Sequence, residues 1–178
     1  MSGISDWKWQ EYCGKDWQNG GSLTEIYDKA AVHVRRIIAP AYYDLHLRLK
    51  NMEYAEYWLK GGRGSGKSSF ISLEIILLMM RYPQLNAVAV RKVGVYLRDS
   101  VYQQLKWAVE VLRVEELWKC KESPMEMVYI PTGQKILFRG SDKAEKLKST
   151  KVVRGFIGIA ISRKVDEIPI LIDKEVVD

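Results

Sequence analysis

The spacing of apolar positions changes several times along the chain, and each change marks an expected element. Leu23, Ile26, Ala30, Val34 and Ile37 recur at helical spacing. Ser22 and Glu25 form an S-x-x-E capping box at the start of that helix, and Pro40 ends it. A second short helix is expected from Ala41 to about Asn51. Residues 54–59 form an apolar run of strand length, and residues 69–80 a longer one of helix length. Tyr82-Pro83 breaks the pattern before a short buried strand over 86–90. Residues 99–114 are amphipathic, with Val101, Leu105, Ala108 and Leu112 on one face. Residues 125–130 and 134–138 flank Pro131-Thr132-Gly133 and predict a β-hairpin. Residues 155–161 predict one more buried strand. Residues 1–21 carry Trp7, Trp9 and Trp17 without a period. They read as an irregular N-terminal extension tied down by its tryptophans, with a docking arm as the alternative.

The 178 residues suffice for one domain with a real core, and 47% hydrophobic content excludes a disordered chain. Net charge is +6, compatible with a nucleic-acid partner. Residues 139–154 concentrate it, with six basic residues (Arg139, Lys143, Lys146, Lys148, Lys151, Arg154) against Asp142 and Glu145. That stretch reads either as a DNA-facing loop or as a solvated face. Cys13 and Cys120 stand apart, and His33 and His46 form no zinc motif, which argues against a disulfide framework or structural zinc. The apolar run after residue 70 is too short to span a bilayer and contains Glu74. The polar, Trp-rich N-terminus is unlike a secretory signal, so no membrane association is expected.

Between the strand at 54–59 and the helix at 69–80 stands Gly61-Gly62-Arg63-Gly64-Ser65-Gly66-Lys67-Ser68. It satisfies G-x-x-x-x-G-K-[ST] in the strand–loop–helix context that motif needs. Glycines let the backbone wrap a triphosphate and turn its N–H groups toward it. The helix N-terminus adds a partial positive charge. Lys67 supplies a point charge for the β- and γ-phosphates, and the Ser68 hydroxyl is suited to ligate Mg²⁺. Residues 61–68 are therefore the expected ATP–Mg²⁺ site, and a plain Gly-rich turn is the bland alternative. Tyr42 and Tyr43, upstream, are candidates for stacking on a base or for burial in the core.

Further segments carry a family resemblance: Ile38-Ala39-Pro40-Ala41-Tyr42-Tyr43-Asp44-Leu45-His46, Tyr57-Trp58-Leu59-Lys60, Arg91-Lys92-Val93, and Leu97-Arg98-Asp99-Ser100-Val101. So do Ser123-Pro124-Met125-Glu126, Pro131-Thr132-Gly133-Gln134-Lys135-Ile136, Phe138-Arg139-Gly140 and Leu147-Lys148-Ser149. In this order and spacing, over residues 24–161, the chain resembles the large subunit of tailed-phage terminases of the PBSX-like prophage type. The resemblance implies an N-terminal ATPase that drives double-stranded DNA into a capsid, followed by a nuclease domain. It also implies a small terminase subunit and a portal as partners, homo-oligomerisation in the motor as an open expectation, and the cytoplasm of a bacterial host as the location. Arg63 matches an arginine such motors carry in the loop, where it could reach the γ-phosphate.

The family's acidic residues should follow the strand at 156–161 directly: one for Mg²⁺, and a glutamate that orients the attacking water. Here the strand runs into Ser162-Arg163-Lys164-Val165, and Asp166 and Glu167 come only afterwards. Fully extended, the chain would carry Asp166 some ~16 Å past Ile161. Asp166 is thus the candidate second metal ligand and Glu167 the candidate catalytic carboxylate, each needing a fold-back of the chain. The expected fold class is α/β: an ASCE-type P-loop NTPase with a mostly parallel sheet, flanking helices and a β-hairpin insertion. The expected organisation is an extension at 1–21, an incomplete ATPase domain at 22–161 and a divergent tail at 162–178, with the nuclease domain absent. Three functions are carried forward: a packaging ATPase that binds ATP–Mg²⁺ with weak or no turnover, another P-loop motor such as a helicase, and a non-catalytic prophage remnant.

Overall fold

The computed structural model describes residues 23–62, 64–91, 97–140, 156–161 and 167–172, the last two stretches as backbone strands. The expected extension at 1–21 and the cap residue Ser22 lie outside them.

Helix α1 (Leu23–Ile37) buries Leu23, Tyr27, Ala30 and Val34, which share one stripe at helical spacing. Its solvent face carries an exposed Glu25–Lys29 pair at 2.7 Å, an i, i+4 contact of small energetic weight. A single 3-10 turn, Pro40–Tyr42, leads into α2 (Tyr43–Lys50). Strand β1 (Glu56–Lys60) alternates exposed and buried positions, with Tyr57 and Leu59 turned inward. Helix α3 (Lys67–Arg81) follows, and each residue from Phe70 to Met80 is buried. Such all-round burial requires neighbours on every side. They are α1, α2, strand β2 (Asn86–Arg91) and helix α4 (Gln103–Val111), which a π-helical turn at Arg98–Tyr102 introduces. Val101, Leu105, Ala108 and Leu112, the expected apolar face, are all buried.

After a 3-10 turn at Glu115–Leu117 come β3 (Trp118–Glu122), β4 (Met125–Tyr129), β5 (Gln134–Gly140), β6 (Phe156–Ile161) and β7 (Glu167–Ile172). The β4–β5 hairpin turns through Gly133 at φ 75°, a left-handed conformation that glycine adopts without penalty. All seven strands form one sheet in the order β1-β7-β6-β2-β5-β4-β3.

Two features differ from the sequence reading. The sheet is mixed: only β2–β5 and β2–β6 are parallel pairs, and the other four junctions are antiparallel. Connection length explains this, because a parallel pair needs a crossover of about a dozen residues. Only residues 162–166 separate β6 from β7, and Ile130 to Gly133 separate β4 from β5. The hairpin is also not an insertion, since β5 is the central parallel partner of β2. Second, the strand at 156–161, which the family pattern would have end in the acidic residues, does not lie beside the loop strand β1. Instead β7 lies between them, antiparallel to both. Because β7 opposes both neighbours, β1, β6, β2 and β5 all run the same way, and their C-terminal ends share one edge of the sheet.

Helices α2 and α3 are tied together in their interior by His46 and Glu74, with Nδ1 and Oε1 2.7 Å apart and both side chains nearly inaccessible. Burial pushes the Glu74 carboxyl above the usual carboxylate range, against the opposing pull of His46. A carboxyl that holds its proton more tightly when folded makes the folded chain bind more protons, so its contribution to stability falls as pH rises above about 4.5. Glu74→Gln keeps the shape and removes the titration. Urea unfolding from pH 4.5 to 8 should therefore show wild-type stability dropping relative to Glu74→Gln. A difference that stays flat or grows with pH would contradict a burial-raised Glu74.

Candidate functional site

The shared C-terminal edge of β1, β6, β2 and β5 gathers the chemistry. The loop after β1 enters α3 through Gly66, whose φ of 78° is left-handed and suits only glycine without strain. Gly64 adopts the same φ, and side chains built at Gly62 or Gly64 would meet only open space. The loop is braced from within. Ser65 Oγ donates to the Gly62 carbonyl at 2.9 Å, and Ser65 N–H reaches the same oxygen at 3.4 Å. Lys67 Nζ donates to the carbonyls of Gly61 and Gly62, the latter at 3.0 Å, and to Ser65 Oγ at 3.0 Å. The ammonium thus lies across the loop's own carbonyls, where a phosphate group could take their place as acceptor. Ser68 stands exposed in the first turn of α3.

Loop and α2 are also connected. Tyr42 Oη donates to the Ser65 carbonyl at 2.8 Å, and its ring stacks on Phe70 with centroids 4.4 Å apart and planes 10° from parallel. Tyr43 remains partly exposed and donates to the Arg35 carbonyl at 3.1 Å.

A cavity of about 740 Å³ opens beside the first turns of α3, lined among others by Ser68, Ser69, Arg91, Asp99, Gln104 and Trp107. Arg91, at the end of β2, donates to Ser100 Oγ, and Gln104 Nε2 reaches Ser69 Oγ at 3.4 Å. The sequence reading named Arg91 within a resemblance segment and did not point to the cavity. Its signal was the polar pair Ser69 and Ser72 in the first turns of a largely apolar helix, facing the amphipathic stretch that became α4.

The candidate residues divide accordingly. Gly61, Gly62, Gly64, Ser65, Gly66, Lys67 and Ser68 come together in one loop and helix start. Glu167 is the first residue of β7 and stands in register opposite Lys60, the last residue of β1 before the loop. At this edge β7 begins, whereas β6 ends there. Arg63, Asp166, Arg163 and the basic run beyond Gly140 lie outside the described residues. Among the described residues, no group of three or more His, Cys, Asp or Glu could hold a metal, and no helix is long and apolar enough to cross a membrane.

The family model for the phage terminase large subunit matches residues 55–162, from just before β1 to just after β6. The chain is 41% identical over 120 residues to the terminase large subunit of Bacillus phage SPP1, covering 67% of this chain and 28% of that protein. It is 31% identical over 99 residues to the PBSX phage terminase large subunit of Bacillus subtilis (strain 168), covering 56% of this chain and 22% of that protein. The matched segments thus span about a quarter of the length of these relatives. With a family match over more than half of its residues, from β1 and the loop through β6, the chain belongs to the phage terminase large subunit family.

Proposed function

We propose that the chain is the nucleotide-binding part of an ATP-driven motor that moves double-stranded viral DNA, built on a P-loop NTPase core. The observation that carries this reading is the braced loop at 61–68, which joins a strand end to the N-terminus of a buried helix in a terminase-family chain. Its donors fit a magnesium–triphosphate ligand: open backbone at Gly62 and Gly64, the Lys67 ammonium above the loop, and the exposed Ser68 hydroxyl at the helix start. Bound Mg²⁺ would neutralise phosphate charge, with Ser68 and the candidate Asp166 as its ligands from this chain. Arg63, within the loop, is proposed to act on charge leaving with the γ-phosphate. Glu167 is proposed to orient the attacking water, and its register opposite Lys60 supports that role. Calorimetric titration with Mg²⁺–ATP tests the reading directly.

Double-stranded DNA is the proposed polymer, and the terminase small subunit and portal are the proposed partners. The net +4 over residues 139–154 supports weak, sequence-independent DNA binding with a steep salt dependence. In a filter-retention assay, raising salt from about 50 to 200 mM should lower retention by at least tenfold. Reversing Lys146, Lys148 and Lys151 to Glu should have the same effect at low salt. Retention indifferent to both would make this stretch a solvated face.

A further inference from the structure

Tyr42 contacts the loop more closely than a residue merely packed nearby. Its hydroxyl donates to the Ser65 carbonyl at 2.8 Å, and one ring edge lies 3.8 Å from where a side chain on Gly66 would begin. The ring is held by a near-parallel stack on Phe70, three residues beyond Lys67. The base of Tyr42 is equally fixed, because α2 starts from it and is pinned to α3 one turn later by His46 and Glu74. Beyond that, Tyr82 Oη donates to the Lys50 carbonyl at 2.9 Å. The contacts advance together from the start of α2 to its end, from 42 with 70, to 46 with 74, to 50 with 82 just past α3. The tyrosine is therefore a rigid post whose tip bears on one peptide group.

That peptide group is the one that matters for an anion. The Ser65 carbonyl and the Gly66 N–H belong to the same planar trans unit, so they point in opposite directions. Fixing the carbonyl toward Tyr42 fixes the Gly66 N–H away from it. Backbone N–H groups of such a loop are its anion donors, and Gly66 has no side chain to restrict its turning. We propose that Tyr42 is a positioning residue for the phosphate loop: through the Ser65 carbonyl it sets the direction of the Gly66 N–H for a bound triphosphate. This rests on the phosphate-loop reading above. It assigns Tyr42 to the phosphates, whereas the sequence left stacking on a base open.

The test uses the full chain and two ligands, Mg²⁺–ATP and magnesium tripolyphosphate, the second lacking any base or sugar. Tyr42→Phe keeps the stack on Phe70 and removes only the hydroxyl. It should weaken both ligands by the same factor, about three- to tenfold, as expected for one net hydrogen bond. Tyr82→Phe is the control, since it removes an equivalent tyrosine–carbonyl bond, from just past α3 to the end of α2 and away from the loop, and it should leave both affinities unchanged. Equal losses in the two variants would mark a purely structural role and overturn the proposal. A loss confined to ATP would place Tyr42 at the base and overturn it too, as would unchanged affinities in Tyr42→Phe. Failure of wild-type protein to bind either ligand would instead strike the phosphate-loop reading itself.

Discussion

Lys67→Ala is expected to abolish Mg²⁺–ATP binding, and calorimetry on the two purified proteins measures it. The ammonium does two things in this loop. It closes the loop on itself through the carbonyls of Gly61 and Gly62 and the Ser65 hydroxyl, and it is the one described cation held directly over the loop. On binding, those neutral acceptors give way to phosphate oxygens, and each charge-assisted bond is stronger than the one it replaces. Two or three such bonds at about 1.5–3 kcal/mol each amount to a loss of at least a hundredfold. Fold stability should change little, because Lys67 is half-buried at a helix start and its partners are all within the loop. Equal affinity in wild type and variant would refute nucleotide binding through this loop.

The loop was legible in the sequence because its chemistry is local. Eight consecutive residues, a strand before and a helix after, specify the turn, the donors and the cation without reference to distant parts. The β4–β5 turn was legible for the same reason, through Gly133. Strand order was not, because pairing depends on which edges remain open once the whole sheet is assembled, and periodicity says nothing of that. Residues 167–172 carry apolar side chains around Pro169 and follow a short, charged connection, so they gave no sign of a strand slot between β1 and β6. Strand β3 hid behind its lysines for a related reason: Trp118 is buried, while Lys119 and Cys120 are exposed. Glu74 looked like an interruption of an apolar run. Its partner His46 lies 28 residues earlier, a distance at which no spacing rule operates. Tyr42 was visible as an aromatic near the loop, but its choice of the Ser65 carbonyl follows from how α2 leans on α3.

The strand order also changes where a water-orienting carboxylate should be sought, and it leads to the last expectation. Hydrolysis requires a carboxylate at the loop edge of the strand beside the loop strand. Taken as β6, that strand ends toward Ser162 and Arg163, which led the sequence reading to expect little or no turnover. The strand beside β1 is β7, and since it runs antiparallel, its first residue rather than its last belongs to the loop edge. That residue is Glu167, opposite Lys60 and one position removed from the loop. The chain therefore folds back where an extended tail would have carried the carboxylate away. On this geometry, steady-state phosphate release should exceed the Lys67→Ala blank and depend on Glu167. Glu167→Gln should lower it by about a hundredfold, the worth of a positioned general base, while calorimetric Mg²⁺–ATP affinity stays unchanged. Glu175→Gln, a carboxylate of the same tail outside β7, should do nothing. A rate indifferent to Glu167, or equal losses in both variants, would remove Glu167 from the reaction. A wild-type rate no higher than the blank would leave a loop that binds ATP without turning it over.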